Sequence, residues 1–173
     1  AFPAQRSCWR TVQNWTYTKG YTMGFRVVVA GDIAGVGYKN TIKADLENDP
    51  RIDEVIDAGI NEGEDIDYPH VAVKAARMIA EGKADRGILI CGTGMGVAMA
   101  ANKVKGIRAA TAHDSFSVER LILSNNGQIL CMGERVIGRE LARRLAKEFF
   151  NYTFDENSPS APKVEALCSY EED

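Results

Sequence analysis

A cysteine, a threonine and three alternate glycines stand together in Cys91-Gly92-Thr93-Gly94-Met95-Gly96, directly after the apolar run Ile88-Leu89-Ile90. A strand that ends in a glycine turn and re-enters a helix leaves backbone N–H groups without partners and presents the positive end of the helix dipole. Such a turn suits an anion. The same field favours a thiolate, so Cys91 is a candidate base or nucleophile. A cysteine ahead of an ordinary βα turn is more often a core residue. Three glycines in five residues, however, exceed what a tight turn requires. Asp32, after Gly31 at the end of another apolar run, and His113, beside Asp114, add a carboxylate and an imidazole. On one rim, this acid, thiol, imidazole and set of amides would be suited to moving a proton beside a carbonyl. Plainer roles compete: Asp32 as a helix cap, and His113-Asp114 as an N-cap with a surface histidine.

The elements that must position these groups follow from hydrophobic periodicity. From Phe25 onward the chain alternates between the strand and helix periods, the signature of a parallel α/β sheet. Strands are predicted over 25–30, 54–57 (weaker), 86–90, 106–111 and 128–132. Helices are predicted over 38–48, from Tyr68-Pro69 to a stop at Gly82, over 95–103 and 115–123, around Leu141, Ala142, Leu145, Ala146 and Phe149, and around 162–171. In the second helix Val71, Ala72, Ala75, Ala76, Ile79 and Ala80 form one stripe. Ligands of such sheets bind off the carboxyl ends of the strands, where strand order reverses. Asp32, Cys91 to Gly96 and His113 are therefore expected to share that rim.

With 173 residues, 45% of them hydrophobic, the chain is long enough for one domain with a sizeable core. A net charge of -3 argues against a general nucleic-acid or anionic-membrane binder, so any phosphate must be caught locally. Cys8, Cys91, Cys131 and Cys168 form no CxxC pair, and with only His70 and His113 there is no zinc-ligand spacing. Reduced thiols of a cytosol are expected rather than a disulfide framework, and no apolar run is long enough to span a bilayer. Residues 1–22, which carry Arg6, Arg10 and Lys19 but no acid, are expected to be an N-terminal extension to a functional domain over 23–173. Gly92-x-Gly94-x-Gly96 is not a dinucleotide fingerprint, since Val97 stands where the third glycine belongs, and no Walker sequence is present.

The run Cys91 to Gly96, continued by Ala100-Ala101-Asn102-Lys103 and Gly106-Ile107-Arg108-Ala109, resembles the ribose-5-phosphate isomerase B and galactose-6-phosphate isomerase family. Asp67-Tyr68-Pro69-His70, Ser124-Asn125-Asn126 and Met132-Gly133-Glu134-Arg135-Val136-Ile137-Gly138 fit it as well, so the resemblance runs from Met23 to about Glu171. It implies a Rossmann-like three-layer sandwich with a five-stranded parallel sheet. It further implies a cytoplasmic, cofactor-free and metal-free aldose–ketose isomerase that works through a cis-enediolate, as a homodimer or homotetramer with sites at the subunit interface. Cys91 matches the family's base, and the amides of Gly92, Gly94, Met95 and Gly96 its anion hole. Asn125 matches a side-chain donor, Thr93 a hydroxyl near the reacting carbons and Asp32 an acid moving protons between the two oxygens. Arg135 matches a phosphate ligand, and Tyr68 is expected at the substrate.

The chain also departs from that pattern. Ile33 and Ser124 stand where many members have histidines, the second being the usual ring-opening group, and two phosphate arginines fall on Pro159 and Lys163. Lysine is the poorer bidentate partner. Ribose 5-phosphate is the first expected substrate, with His113 or His70 opening the ring. A tetrose 4-phosphate, which cannot close to the usual furanose through its phosphorylated oxygen, is the alternative. A non-catalytic phosphosugar or nucleotide sensor is the third reading.

Overall fold

The structure, a computed structural model, describes residues 24–61 and 63–171. The expected extension over 1–22 and the boundary at Met23 lie outside the described residues. Five strands, β1 (Phe25–Gly31), β2 (Ile52–Asp57), β3 (Arg86–Cys91), β4 (Ala109–Thr111) and β5 (Ile129–Gly133), form one sheet in the order β2-β1-β3-β5-β4. Every pairing is parallel. The helices are α1 (Val36–Leu46), α2 (Tyr68–Ala80), α3 (Met95–Ala101), α4 (Ser115–Leu123), α5 (Arg139–Glu148) and α6 (Ala161–Ser169). The fold is the expected Rossmann-like three-layer sandwich. Chain order reverses between β1 and β3, which opens a crevice beside Gly31 and Cys91.

Alternation along the strands builds the two apolar layers. Val27, Val29, Ile88, Ile90, Leu130 and Met132 face the layer of α1, α4, α5 and α6. Val28, Ala30, Leu89, Cys91, Ile129 and Cys131 face α2 and α3. β3 is buried throughout, as a central parallel strand should be. The α2 stripe is seated through Val71, Ala72, Ala75, Ala76 and Ile79, whereas Ala80 is exposed. On α5 the buried residues are Ala142, Leu145 and Ala146, and Leu141 faces out.

Several predicted bounds move. β2 begins at Ile52, α1 spans 36–46, and α6 ends at Ser169. β4 is only three residues long, because the backbone before it is taken up by side chains: Gly106 N–H donates to Glu171 Oε2 (3.0 Å) and Arg108 N–H to Gln128 Oε1 (2.8 Å). Cys91 and Cys131 are free thiols but Cys168 is disulfide-bonded, which corrects the expectation of reduced thiols throughout. Among the described residues no helix is long and apolar enough to cross a membrane.

At the amino end of β3 the buried Arg86 guanidinium donates to the carbonyls of Phe149 and Tyr152 and lies over the Phe25 and Phe149 rings, 4.7 and 5.2 Å from their centroids. Burial, against the pull of Asp85, pushes its pKa down to about 10. Arg86→Met would keep the volume but leave two carbonyls unpaired, at about 1–3 kcal/mol each. Thermal unfolding should show a loss of roughly 3 kcal/mol, a Tm drop on the order of 10 °C. An unchanged Tm would mean that water satisfies those carbonyls.

Candidate active site

The carboxyl rim gathers most of the predicted groups. Cys91 ends β3 in register with Gly133 at the end of β5, and β1 ends at Gly31 beside Ile90. The Cys91 thiol is nearly enclosed (5% exposed) on the α2/α3 side, and Gly94 N–H donates to its sulfur at 3.1 Å. Gly94 adopts φ +79°, which turns the chain from that amide into α3; only glycine holds this conformation without strain. Cys131 lies fully buried in the same layer, where burial, then the neighbouring Cys91, pushes its thiol well above the usual range. Of the two free thiols among the described residues, Cys91 is the one that stands at the rim.

The amides of Met95, Gly96 and Val97 open α3 and have no intrahelical acceptor. Thr93 is exposed next to them. A Cβ on Gly96 would come within 2.7 Å of the Tyr68 ring, so Tyr68, at the start of α2, lies against the turn from the other side. The Arg135 side chain crosses Gly92, with Nη1 3.4 Å from where a Cβ would stand there. Arg135 N–H donates to Gly92 O (3.0 Å) and Glu134 N–H to Cys91 O (2.9 Å), which ties the β5 end to the turn.

Asp32 is not the cap of α1. Its Oδ1 accepts from Ala34 N–H at 3.0 Å, and Gly35, the N-cap residue, has no side chain to offer. Glu134 reaches in instead: its Oε2 accepts from Tyr38 N–H at 2.9 Å. That residue was missed. A helix opening Gly35-Val36-Gly37 with no Ser, Thr, Asn or Asp at the cap was the signal that an acid must come from elsewhere. With Glu134 on the Tyr38 amide, the α3 turn is the place at the switch point suited to an anion. Burial holds the Asp32 carboxyl above its ordinary range, against the Ala34 bond and the positive Arg135 nearby. A carboxyl of raised proton affinity suits the handling of protons between oxygens.

Asp114 is the N-cap of α4, accepting from Ser117 N–H at 2.8 Å, but His113 is no bystander. Its Nε2 accepts from Gly133 N–H at 2.8 Å, which leaves the ring proton on Nδ1. Burial lowers its pKa, with Asp114 opposing. The lone pair that a general base would use is therefore already spent.

Two predicted ligands fall elsewhere. Asn125 precedes β5, with Nδ2 donating to Arg120 O at 3.3 Å. Since Cys91 aligns with Gly133 at the far end of that strand, about 13 Å of β5 separates the two levels. Lys163 is on α6, whose end docks near Arg108 and Gly106 at the amino rim of β4. Asn125 does not join Cys91 within one chain, because it stands in the turn that begins, rather than ends, β5.

The fold and the rim define a parallel α/β protein with an amide-lined turn, a thiol, a carboxyl and an arginine at its switch point. Residues 27–167 match the family model described as Ribose/Galactose Isomerase. The chain belongs to that family, and it is a sugar-phosphate isomerase. It is 57% identical over 150 residues to the D-erythrulose-4-phosphate isomerase 2 of Mycolicibacterium smegmatis, covering 86% of this chain and 99% of the relative. It is 40% identical over 119 residues to the ribose-5-phosphate isomerase B of Escherichia coli, covering 69% and 79%. The solved ribose-5-phosphate isomerase B of Clostridium thermocellum superposes with a TM-score of 0.80 at 35% identity, over 85% of this chain and 97% of that one.

Proposed function

We propose that this chain interconverts a four-carbon aldose phosphate and its ketose, erythrose 4-phosphate and erythrulose 4-phosphate. This puts the tetrose ahead of ribose 5-phosphate, the first expectation from sequence. The observation that carries the choice is the bond from Gly133 N–H to His113 Nε2, which removes the imidazole best placed to open a ring. Ser124 stands where the family's ring opener would be, and the 57% identical relative bears the erythrulose name. A substrate that is already open-chain needs neither group.

In this reading the Cys91 thiolate takes the proton from the carbon beside the carbonyl. The electrons pass to the carbonyl oxygen as an enediolate, and the thiol returns the proton to the neighbouring carbon. Amides of the Gly92–Gly96 turn stabilise the enediolate, each contributing on the order of 3 kcal/mol when judged by removal. Asp32 moves the proton between the two oxygens, with Thr93 beside them, and Arg135 meets the phosphate. An enclosed thiol strengthens these charges, since little water screens them.

A second copy of the chain supplies Asn125, which the amino rim holds away from the Cys91 of its own chain, and with it Lys163 as a phosphate ligand. Exposed apolar side chains around the carboxyl rim, Ile33, Ile66, Tyr68, Met95 and Met99, support burial there against a partner. Co-expressed Cys91→Ala and Asn125→Ala chains should recover roughly a quarter of wild-type turnover, because half of the mixed dimers' sites are intact. No recovery would place each site within one chain.

Specificity constants across four-, five- and six-carbon aldose phosphates test the substrate. An enzyme confined to open-chain sugar is penalised by the small open fraction of a cyclising one. The four-carbon sugar should lead on the order of a hundredfold. An equal or higher constant for the ribose 5-phosphate pair would overturn this reading.

A further inference from the structure

His113 lies just beyond β4, a strand of three residues at the sheet edge, so little backbone pairing anchors this end of the molecule to the catalytic turn. Side chains do so instead. Thr111 Oγ1 donates to Gly94 O at 2.8 Å, and His113 Nε2 accepts from Gly133 N–H at 2.8 Å. Gly133 in turn is pressed onto the turn: a Cβ there would meet the Thr93 carbonyl carbon at 2.5 Å and its Cα at 2.6 Å. Thr93 and Gly94 are the residues whose backbone sets the approach to the Cys91 sulfur.

We propose that His113 is a positioning residue: its Nε2 lone pair fixes Gly133, and through Gly133 the place of the Thr93–Gly94 backbone relative to the Cys91 sulfur. The inference rests on Cys91 as the proton carrier. A general acid or base would need a nitrogen turned to substrate; this one is turned to a main-chain amide. The role requires the neutral ring, because a proton on Nε2 would set two donors head to head and push Gly133 off its place. Of the surrounding charges Asp114 favours an imidazolium, but burial outweighs it. The Asp114 carboxylate is engaged by Ser117, Glu134 of the adjoining β5 end by Tyr38 N–H, and the Cys91 sulfur by Gly94 N–H. Burial opposes protonation further, so the neutral ring persists below the ordinary histidine range and the latch opens only in acid.

The test compares wild type, His113→Gln and His113→Leu with the sugar-phosphate panel. Glutamine Oε1 can stand where Nε2 stands and accept the same bond without titrating. H113Q should keep kcat within about threefold and lose the part of the wild-type acid limb that lies below the ordinary histidine range, leaving any limb that belongs to Cys91 in place. H113L, with a Tm close to wild type, should lose roughly 10- to 100-fold in kcat with KM within about twofold. Unchanged kcat in H113L overturns the proposal, as does a folded H113Q as slow as H113L, which would make the imidazole itself catalytic. Independently of turnover, ¹⁵N spectra should find Nε2 unprotonated and coupled to the Gly133 amide, and absence of that coupling also overturns it. Full activity in Cys91→Ala would instead sink the assignment of the base and leave the His113 results standing.

Discussion

Cys91→Ala is expected to lower kcat at least about a thousandfold while leaving KM within about threefold, the pattern of a group that acts only in the transition state. The sulfur occupies the one place where the end of β3 meets both the Gly92–Gly96 turn and the β5 end. Alanine fits the space, so the loss reports chemistry rather than folding. Gly94 N–H loses its acceptor at a cost of about 1 kcal/mol. Cys91→Ser should be nearly as slow, since a hydroxyl is a far poorer base than a thiolate. The decisive measurement is exchange of the substrate's C1 and C2 protons with solvent, followed by NMR. Wild type should exchange, C91A and C91S should not, and Cys131→Ala should exchange normally because its thiol is shut inside the sheet layer. Exchange persisting in C91A would move the base elsewhere, with the half-buried Asp32 the next group to test.

Local chemistry was the legible part. The strand–glycine–helix passage at Ile88 to Val97 and the α2 stripe needed only periodicity and turn rules, and both stand where expected except for Ala80 at the end of the stripe. What could not be read were partners distant in sequence. Glu134 caps a helix 96 residues earlier, and only the missing cap at Gly35 hinted at it. The role of His113 depends on β5 inserting between β3 and β4, an order that no hydrophobic pattern reveals. β4 was overestimated because Gly106-Ile107-Arg108 has the composition of a strand, whereas the Gly106 and Arg108 amides are bound by side chains and the Ile107 amide by Val104 O. Asn125 and Lys163 were recognised by resemblance, which names residues but not where the fold of one chain sets them. Cys168 was misjudged because spacing cannot tell which thiols meet.

Gly133→Ala should lower kcat/KM about a hundredfold or more, although it adds only a single methyl group. That methyl would stand 2.5, 2.6 and 2.7 Å from the carbonyl carbon, Cα and oxygen of Thr93, all backbone atoms that no rotamer change can move aside. Nor can the β5 end swing away, since Gly133 N–H is bound to His113, Glu134 N–H to Cys91 O and Arg135 N–H to Gly92 O. The displacement must therefore fall on the Thr93–Gly94 turn, whose amides are useful only where the enediolate oxygens will be. A shift on the order of 1 Å in such a cradle costs about a hundredfold in rate, and overpacking adds about 1–3 kcal/mol of instability. Gly138→Ala is the matched control, because a Cβ there meets nothing within 4 Å. Gly96→Ala falls between the two, since the atoms it meets belong to the Tyr68 ring, which can turn outward. If G133A isomerised as fast as G138A, the position of the Thr93–Gly94 amides would be irrelevant to the rate, and stabilisation of the intermediate would have to come from side chains instead.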